Sequence, residues 1–176
     1  MVTLGLDIST SCVGYAFTEN KKILDMGFID LKKFNTYKEK AFFTLTEINK
    51  SSYIDKIEKI YVEDNLSGFA GGRTSQQVIV KLAKFNAVLC FVMEDTFDIE
   101  VKNVNPMTAR KQVFGKARVK GVKAKDFVKR QIDELYDTSK WNKTTSRGNW
   151  DKRNIDAYDG LVMSLYEEIG WNKYEK

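Results

Sequence analysis

Four carboxylates stand where hydrophobic elements start or end. Asp7 lies in Val2-Thr3-Leu4-Gly5-Leu6-Asp7-Ile8, Glu63 closes Lys59-Ile60-Tyr61-Val62-Glu63, and Asp156 and Asp159 fall in Asn154-Ile155-Asp156-Ala157-Tyr158-Asp159-Gly160. Acids are depleted from strands and costly to bury, so an acid on an apolar strand calls for a compensating partner. A shared cation is the simplest one. The chain has no histidine, which removes every Ser-His, Cys-His and histidine-metal arrangement. Any metal must therefore be held by oxygen, and oxygen-only sites suit hard cations, so Mg²⁺ or Mn²⁺ is expected over Zn²⁺.

The rest of the composition narrows the setting. At 176 residues and 43% hydrophobic content the chain is long enough for one well-packed domain, expected over residues 1–176. Cys12 and Cys90 lie in apolar stretches without C-x-x-C spacing and read as small core residues. No basic-then-apolar leader follows Met1, and the uninterrupted apolar run 87–93 is well below the roughly 20 residues of a membrane span. The expectation is a soluble cytoplasmic protein, in the host cytoplasm if the source is viral, with no membrane partner.

The net charge of +5 is unevenly spread. From Arg110 to Arg130, nine basic residues (Arg110, Lys111, Lys116, Arg118, Lys120, Lys123, Lys125, Lys129, Arg130) face the single acid Asp126, so this window carries +8 and the remainder −3. A charge run by itself is usually a solvated loop. Beside an acidic metal site it points instead to a polyanionic partner, nucleic acid first.

The elements that must position these residues follow from hydrophobic period. Val2, Leu4, Leu6 and Ile8 alternate with Thr3, Gly5, Asp7 and Ser9, the pattern of a strand. Strands at 13–18 and 23–29, joined at Glu19-Asn20-Lys21-Lys22, complete an antiparallel meander. A helix over 37–49 follows, then the strand ending at Glu63, a glycine-rich loop at 67–74, and a helix over about 75–93. The apolar residues of that helix nearly encircle it, which predicts burial on more than one side, in the monomer's own core or partly at a subunit interface. A strand over 98–104 ends at Asn105-Pro106, and the basic segment leads into a helix near 123–136. Residues 137–153 read as a loop, and a last helix over about 155–169 ends at Gly170. The order predicts an α/β fold with a mixed five-stranded sheet, three antiparallel strands then parallel ones, and helices on both faces.

In the last helix Asp156 and Asp159 are three apart and can converge on one cation, with Ile155, Tyr158, Leu161, Val162, Leu165 and Ile169 as the apolar stripe beside them. Such a pair alone is commonly a solvated, dipole-stabilised feature of a helix start.

The string Gly5-Leu6-Asp7-Ile8-Ser9-Thr10-Ser11 before a second strand, the strand end Tyr61-Val62-Glu63, and Ile155-Asp156-Ala157-Tyr158-Asp159-Gly160-Leu161 together resemble the RuvC-like Holliday junction resolvases of the RNase H-like superfamily. The resemblance in motif order spans about 2–166. It implies Asp7, Glu63, Asp156 and Asp159 as a metal-binding catalytic tetrad, Mg²⁺ as cofactor with Mn²⁺ as substitute, and a homodimer that cuts four-way DNA junctions and other branched DNA. Two divalent ions about 4 Å apart would activate a water and stabilise the leaving oxygen, with Asp7 the best bridge. Asp64 competes with Glu63, but strand alternation favours Glu63.

The family also carries a lysine after the last strand and another opening the following helix. Lys111 and Lys125 are the nearest counterparts, Lys123 competes with Lys125, and Lys116, Arg118 and Lys120 extend the DNA-binding set. In the loop after Glu63, Phe69 could stack on a base or fold back on the core, with Arg73 beside it. Trp141 and Trp150 either meet DNA or anchor their loop to the core, the commoner role. Competing functions are an RNase H-type or ribosomal-RNA-processing ribonuclease of the same superfamily, an actin-like ATPase fragment, whose fold needs a second domain this chain lacks the length for, and a binding module that has lost catalysis.

Overall fold

The structure is a computed structural model that describes residues 1–64 and 76–168. Three strands, β1 (Val2–Ile8), β2 (Cys12–Glu19) and β3 (Lys22–Asp30), form the antiparallel meander. Helix α1 (Tyr37–Ile48) follows, started by a capping box in which the Thr36 hydroxyl accepts from the Glu39 N–H while the Glu39 carboxylate accepts from the Thr36 N–H. A short 3-10 turn (Ile54–Lys56) leads into β4 (Ile57–Glu63), which lies parallel to β1. Next come α2 (Gln76–Phe97), β5 (Val101–Val104) parallel to β4, and three helices, α3 (Pro106–Phe114), α4 (Ala124–Leu135) and α5 (Asn154–Ser164). The sheet order is β3-β2-β1-β4-β5. This is the mixed five-stranded sheet, with helices on both faces, that the hydrophobic pattern predicts.

Strand alternation divides the core in two. Leu4, Leu6 and Ile8 of β1, Val13 and Phe17 of β2, and Ile60 and Val62 of β4 pack against Ala41 and Ile48 of α1 and Phe85, Leu89 and Met93 of α2. Ala16 and Tyr61, from the opposite face of the sheet, pack with Val113 of α3, Phe127, Val128 and Ile132 of α4, and Tyr158, Leu161 and Val162 of α5. Asp7 and Glu63 alternate out of the first set and so face the second layer.

Helix α5 lies directly on the sheet because glycines leave room for it. A Cβ on Gly5 would stand 2.1 Å from the Ser164 nitrogen, and one on Gly14 would stand 1.8 Å from the Asp156 carbonyl oxygen. No side chain fits at either position. The two glycines therefore determine how closely the acids of α5 approach β1.

Three expectations need correction. Helix α2 is not buried all round: Leu82, Phe85, Leu89 and Met93 face the core, while Val78, Val80 and Phe91 are exposed. The helix with burial on nearly every side is α5, where every residue except Asp156 is buried. Residues 98–100 are not strand, since α2 runs on to Phe97, Asp98 takes a left-handed conformation (φ 53°), and the Glu94 carboxylate accepts from the Val101 N–H at 2.9 Å. Asn105-Pro106 starts a helix as well as ending a strand. The Asn105 side-chain oxygen accepts from Met107 N–H at 2.9 Å and Pro106 occupies the first turn of α3, where its missing donor costs nothing.

Helix α5 ends at Ser164, and the expected continuation to Ile169 and Gly170 lies outside the described residues. By length and composition α2, at 22 residues and mean hydropathy 1.3, could cross a membrane. A core helix passes the same test, and Phe85, Leu89 and Met93 are fully buried against the sheet.

Candidate metal centre

Three carboxylates meet at the ends of the parallel pair β1 and β4. Asp7 of β1, Glu63 of β4 and Asp159 of α5 each offer an oxygen within 4.8 Å of the other two. Glu63 and Asp159 are buried, at 7% and 3% exposure, and Asp7 is partly open. Asp156 lies one helical turn before Asp159, outside that mutual set, and its Oδ1 accepts from Lys125 Nζ at 2.6 Å. Asp64 leaves the site by alternation, and its N–H donates to the Val104 carbonyl at 2.8 Å.

The electrostatics are those of crowded acids. Burial first, and then the charges of Glu63, Asp159 and Asp156, hold Asp7 well above the usual carboxylate range. Burial and the Asp159 charge push Glu63 up to about 7, against the pull of Arg110. Burial also raises Asp159, opposed by Arg110 and Lys125. Like charges this close cannot all ionise without a cation among them.

Two basic side chains reach these acids. The Arg110 guanidinium is buried in α3 and its Nη2 donates to Asp159 Oδ1 at 3.1 Å. Lys125 at the start of α4 holds Asp156; burial works against its charge, but the Asp156 bond and the charges of Asp7 and Asp159 raise it overall. Lys111 is not one of them. Its neighbours Ala109, Arg110 and Val113 form the buried stripe of α3, and Lys111 points outward with Lys116, Arg118, Lys120 and Lys123. The signal for Arg110 was in the sequence, an arginine in step with an apolar stripe, but it becomes visible only once α3 is recognised as a helix. Phe69 and Arg73 lie outside the described residues.

The donor set fits a divalent cation. Glu63 Oε2 is buried with no hydrogen-bond partner among the described residues, as is Arg110 Nε. A buried carboxylate oxygen left unpaired is expensive, and an all-oxygen trio suits Mg²⁺ or Mn²⁺.

The remaining candidates are structural. The edge of Trp150 packs on Tyr158 with ring centroids 6.3 Å apart, and Trp141 packs partly buried against the same core, so both anchor the segment before α5. Cys12 and Cys90 are unpaired thiols, and burial raises both, Cys90 to about 11, which leaves them unreactive.

No protein-family model matches the chain, and no curated protein matches its sequence. Solved structures do match in fold. The structure of Thermus thermophilus RuvC superposes with a TM-score of 0.62 at 13% identity, covering 94% of this chain and 92% of that one. T. thermophilus RuvC in complex with Holliday junction substrate gives 0.62 at 14%, covering 94% and 91%. The chain thus has a RuvC-like fold over nearly its whole length.

Proposed function

We propose that this chain is a metal-dependent endonuclease that cleaves Holliday junctions, and other branched DNA, by phosphodiester hydrolysis. The observation that carries the reading is the convergence of Asp7, Glu63 and Asp159 from three separate elements around a buried, unpaired carboxylate oxygen. The RuvC-like fold and the junction-bound relative support it.

Asp7, Glu63 and Asp159 would hold Mg²⁺ or Mn²⁺, with Asp156 completing the set when Lys125 releases it to meet a phosphate. Bound there, the metal would make a water nucleophilic at neutral pH and stabilise the leaving oxygen. Rigid β1 and β4 fix Asp7 and Glu63, and Arg110 orients Asp159 from the far side. Lys125, at the rim, draws the scissile phosphate toward the acids, and Lys111, Lys116, Arg118, Lys120 and Lys123 provide sequence-independent backbone contacts. The exposed apolar face of α2, with Val80 and Phe91, is the surface on which a second copy would pair to cut opposing strands. The protein acts in solution, in the cytoplasm.

The test offers four-way, splayed, flap, duplex and RNA–DNA hybrid substrates in Mg²⁺, Mn²⁺ or Ca²⁺. Paired symmetric nicks on the four-way junction are expected, abolished in Asp7→Asn while binding persists. Faster cleavage of the hybrid would instead identify a ribonuclease of the same fold.

A further inference from the structure

The segment between α4 and α5 is charged and meets β3 at Phe28, at the end of the sheet where the carboxylates lie. Residues 144–150 form a small hairpin: Thr144 bridges Trp150, the Thr145 N–H donates to the Asn149 carbonyl at 2.7 Å, and Gly148 (φ 78°) turns the chain. Its base is fixed from both sides. The Lys143 N–H donates to Asn154 Oδ1 at 3.0 Å, and Asn154 Nδ2 donates to the Lys143 carbonyl at 2.8 Å. Arg153 donates to Asp151 at 2.6 and 3.0 Å and also to Asp30 of β3. The tip, with Thr145, Ser146, Arg147 and Asn149, is exposed and offers only uncharged polar groups and one cation.

Between this segment, the end of β3 and α1 lies a cleft of about 520 Å³, lined among others by Lys32, Lys33, Lys143 and Arg153. Its floor is Phe28. The Lys143 ammonium lies 4.6 Å over that ring and donates to the Phe28 carbonyl at 3.2 Å, and the Arg153 guanidinium lies 4.6 Å over the same ring. Lys33 is seated 4.5 Å over the ring of Phe43. The acids lining the cleft are partly offset: Asp30 and Asp151 share the single cation Arg153, which leaves one negative charge over, and Glu47 pairs with Lys50 at 2.5 Å. Four cations, Lys32, Lys33, Lys143 and Arg153, thus face three acids, so the lining is net positive, with the heads of Lys33 and Lys143 held in place by aromatic packing.

Register ties the cleft to the metal centre. Asp7 is opposite Gly14, and Gly14 is opposite Phe28, so all three lie in one row on the same face of the sheet. Two strand spacings, about 10 Å, separate the row's ends, roughly three base-pair rises along a duplex axis. This flank, beside β3, is the one away from β5 and α3.

We propose that the cleft, with Lys32, Lys33 and Lys143 along it and Arg147 at the exposed tip of the adjoining hairpin, binds the sugar–phosphate backbone of a nucleic-acid arm. The inference rests on the nuclease reading and gives the substrate a second, independent track beside the Arg110–Arg130 segment. Fixed cations in a groove with exposed hydroxyls suit phosphates, which need point charges and donors but no base-edge readout.

Binding is measured in the Asp7→Asn background with Mg²⁺ and a four-way junction, over a range of salt, comparing that protein with one also carrying Lys32→Glu, Lys33→Glu and Arg147→Glu. Affinity should fall roughly tenfold or more, and the salt slope by about 1 for each phosphate no longer neutralised. In the otherwise wild-type enzyme, the triple variant should still melt cooperatively, and its loss of cleavage should appear as a raised KM that saturating junction recovers. A Lys32→Gln, Lys33→Gln, Arg147→Gln variant, which adds no repulsion, should show the same loss of slope in weaker form. Unchanged affinity and slope in a parent that binds and cuts junctions would overturn this track and leave the nuclease reading intact. A parent that neither binds nor cuts nucleic acid would overturn both.

Discussion

Arg110 and Asp159 form a buried ion pair, Nη2 to Oδ1 at 3.1 Å, at the back of the carboxylate cluster. The guanidinium is the one buried cation among the described residues at the site, and it partly offsets three acids that would otherwise repel one another.

Replacing Arg110 by Ala leaves Asp159 buried and unpaired. In chelator this should cost about 3–5 kcal/mol of unfolding free energy, with Arg110→Lys recovering part of it. Urea unfolding checks the value, and a change below about 0.5 kcal/mol would mean that the pair does not form.

Gly14 is where the sheet lets α5 approach. Gly14→Ala should destabilise the protein by about 3 kcal/mol or more and weaken metal binding along with it, because Asp156 and Asp159 must move away from Asp7. Gly115 is the control: a Cβ there meets nothing within 4 Å, and only its left-handed φ of 72° is strained. Gly115→Ala should therefore cost only about 1 kcal/mol and leave metal binding intact.

The raised acids make metal-free stability fall with rising pH. Glu63 moves from 4.5 unfolded to about 7 folded, and Asp7 and Asp159 shift the same way. The folded state thus holds more protons than the unfolded chain between these values, so stability is greatest below about 4.5 and is lost as pH rises through about 7. Asp151, lowered to about 2 by Arg153, contributes its stability change below that window. Melting temperatures in chelator from pH 4.5 to 8 should decline in the wild type and decline less in Asp7→Asn; equal slopes would show that the cluster does not govern the trend.

Metal binding has its own readout. At about 100 times its Kd, Mg²⁺ should stabilise the protein by about 2.7 kcal/mol, seen as a rise in melting temperature at pH 8. Asp7→Asn and Glu63→Gln should lose this rise, and Asp64→Asn should keep it. A rise lost in Asp64→Asn and kept in Glu63→Gln would exchange the two assignments.

Phe91 is 67% exposed on the outer face of α2. Phe91→Glu should leave monomer stability within about 0.5 kcal/mol while shifting sedimentation from dimer to monomer. A wild-type protein that is monomeric at micromolar concentration would remove α2 as a pairing surface.

Much of the fold was legible because strand alternation and turn chemistry are local. Val2 to Ile8 shows its two faces in seven residues, and the meander, the parallel strand ending at Glu63 and the late helices follow from similarly short patterns. Helix α3 was missed because Asn105-Pro106 serves both to end a strand and to start a helix, and nearest-neighbour chemistry cannot separate the two. Whether the apolar surface of α2 is all core or partly free for a second subunit stayed open, because composition does not say which apolar faces find a partner within the chain.

The candidate site divides along the same line. Residue types, the absence of histidine and the order of Asp7, Glu63, Asp156 and Asp159 specify an oxygen-only site, since those properties belong to the chain itself. Which three acids meet, that Arg110 rather than Lys111 reaches them, and that Lys143 and Arg153 come to lie over Phe28 were decided only by tertiary structure. Each depends on contacts between residues distant in sequence, fixed by strand register and by the close seat that Gly5 and Gly14 leave for α5.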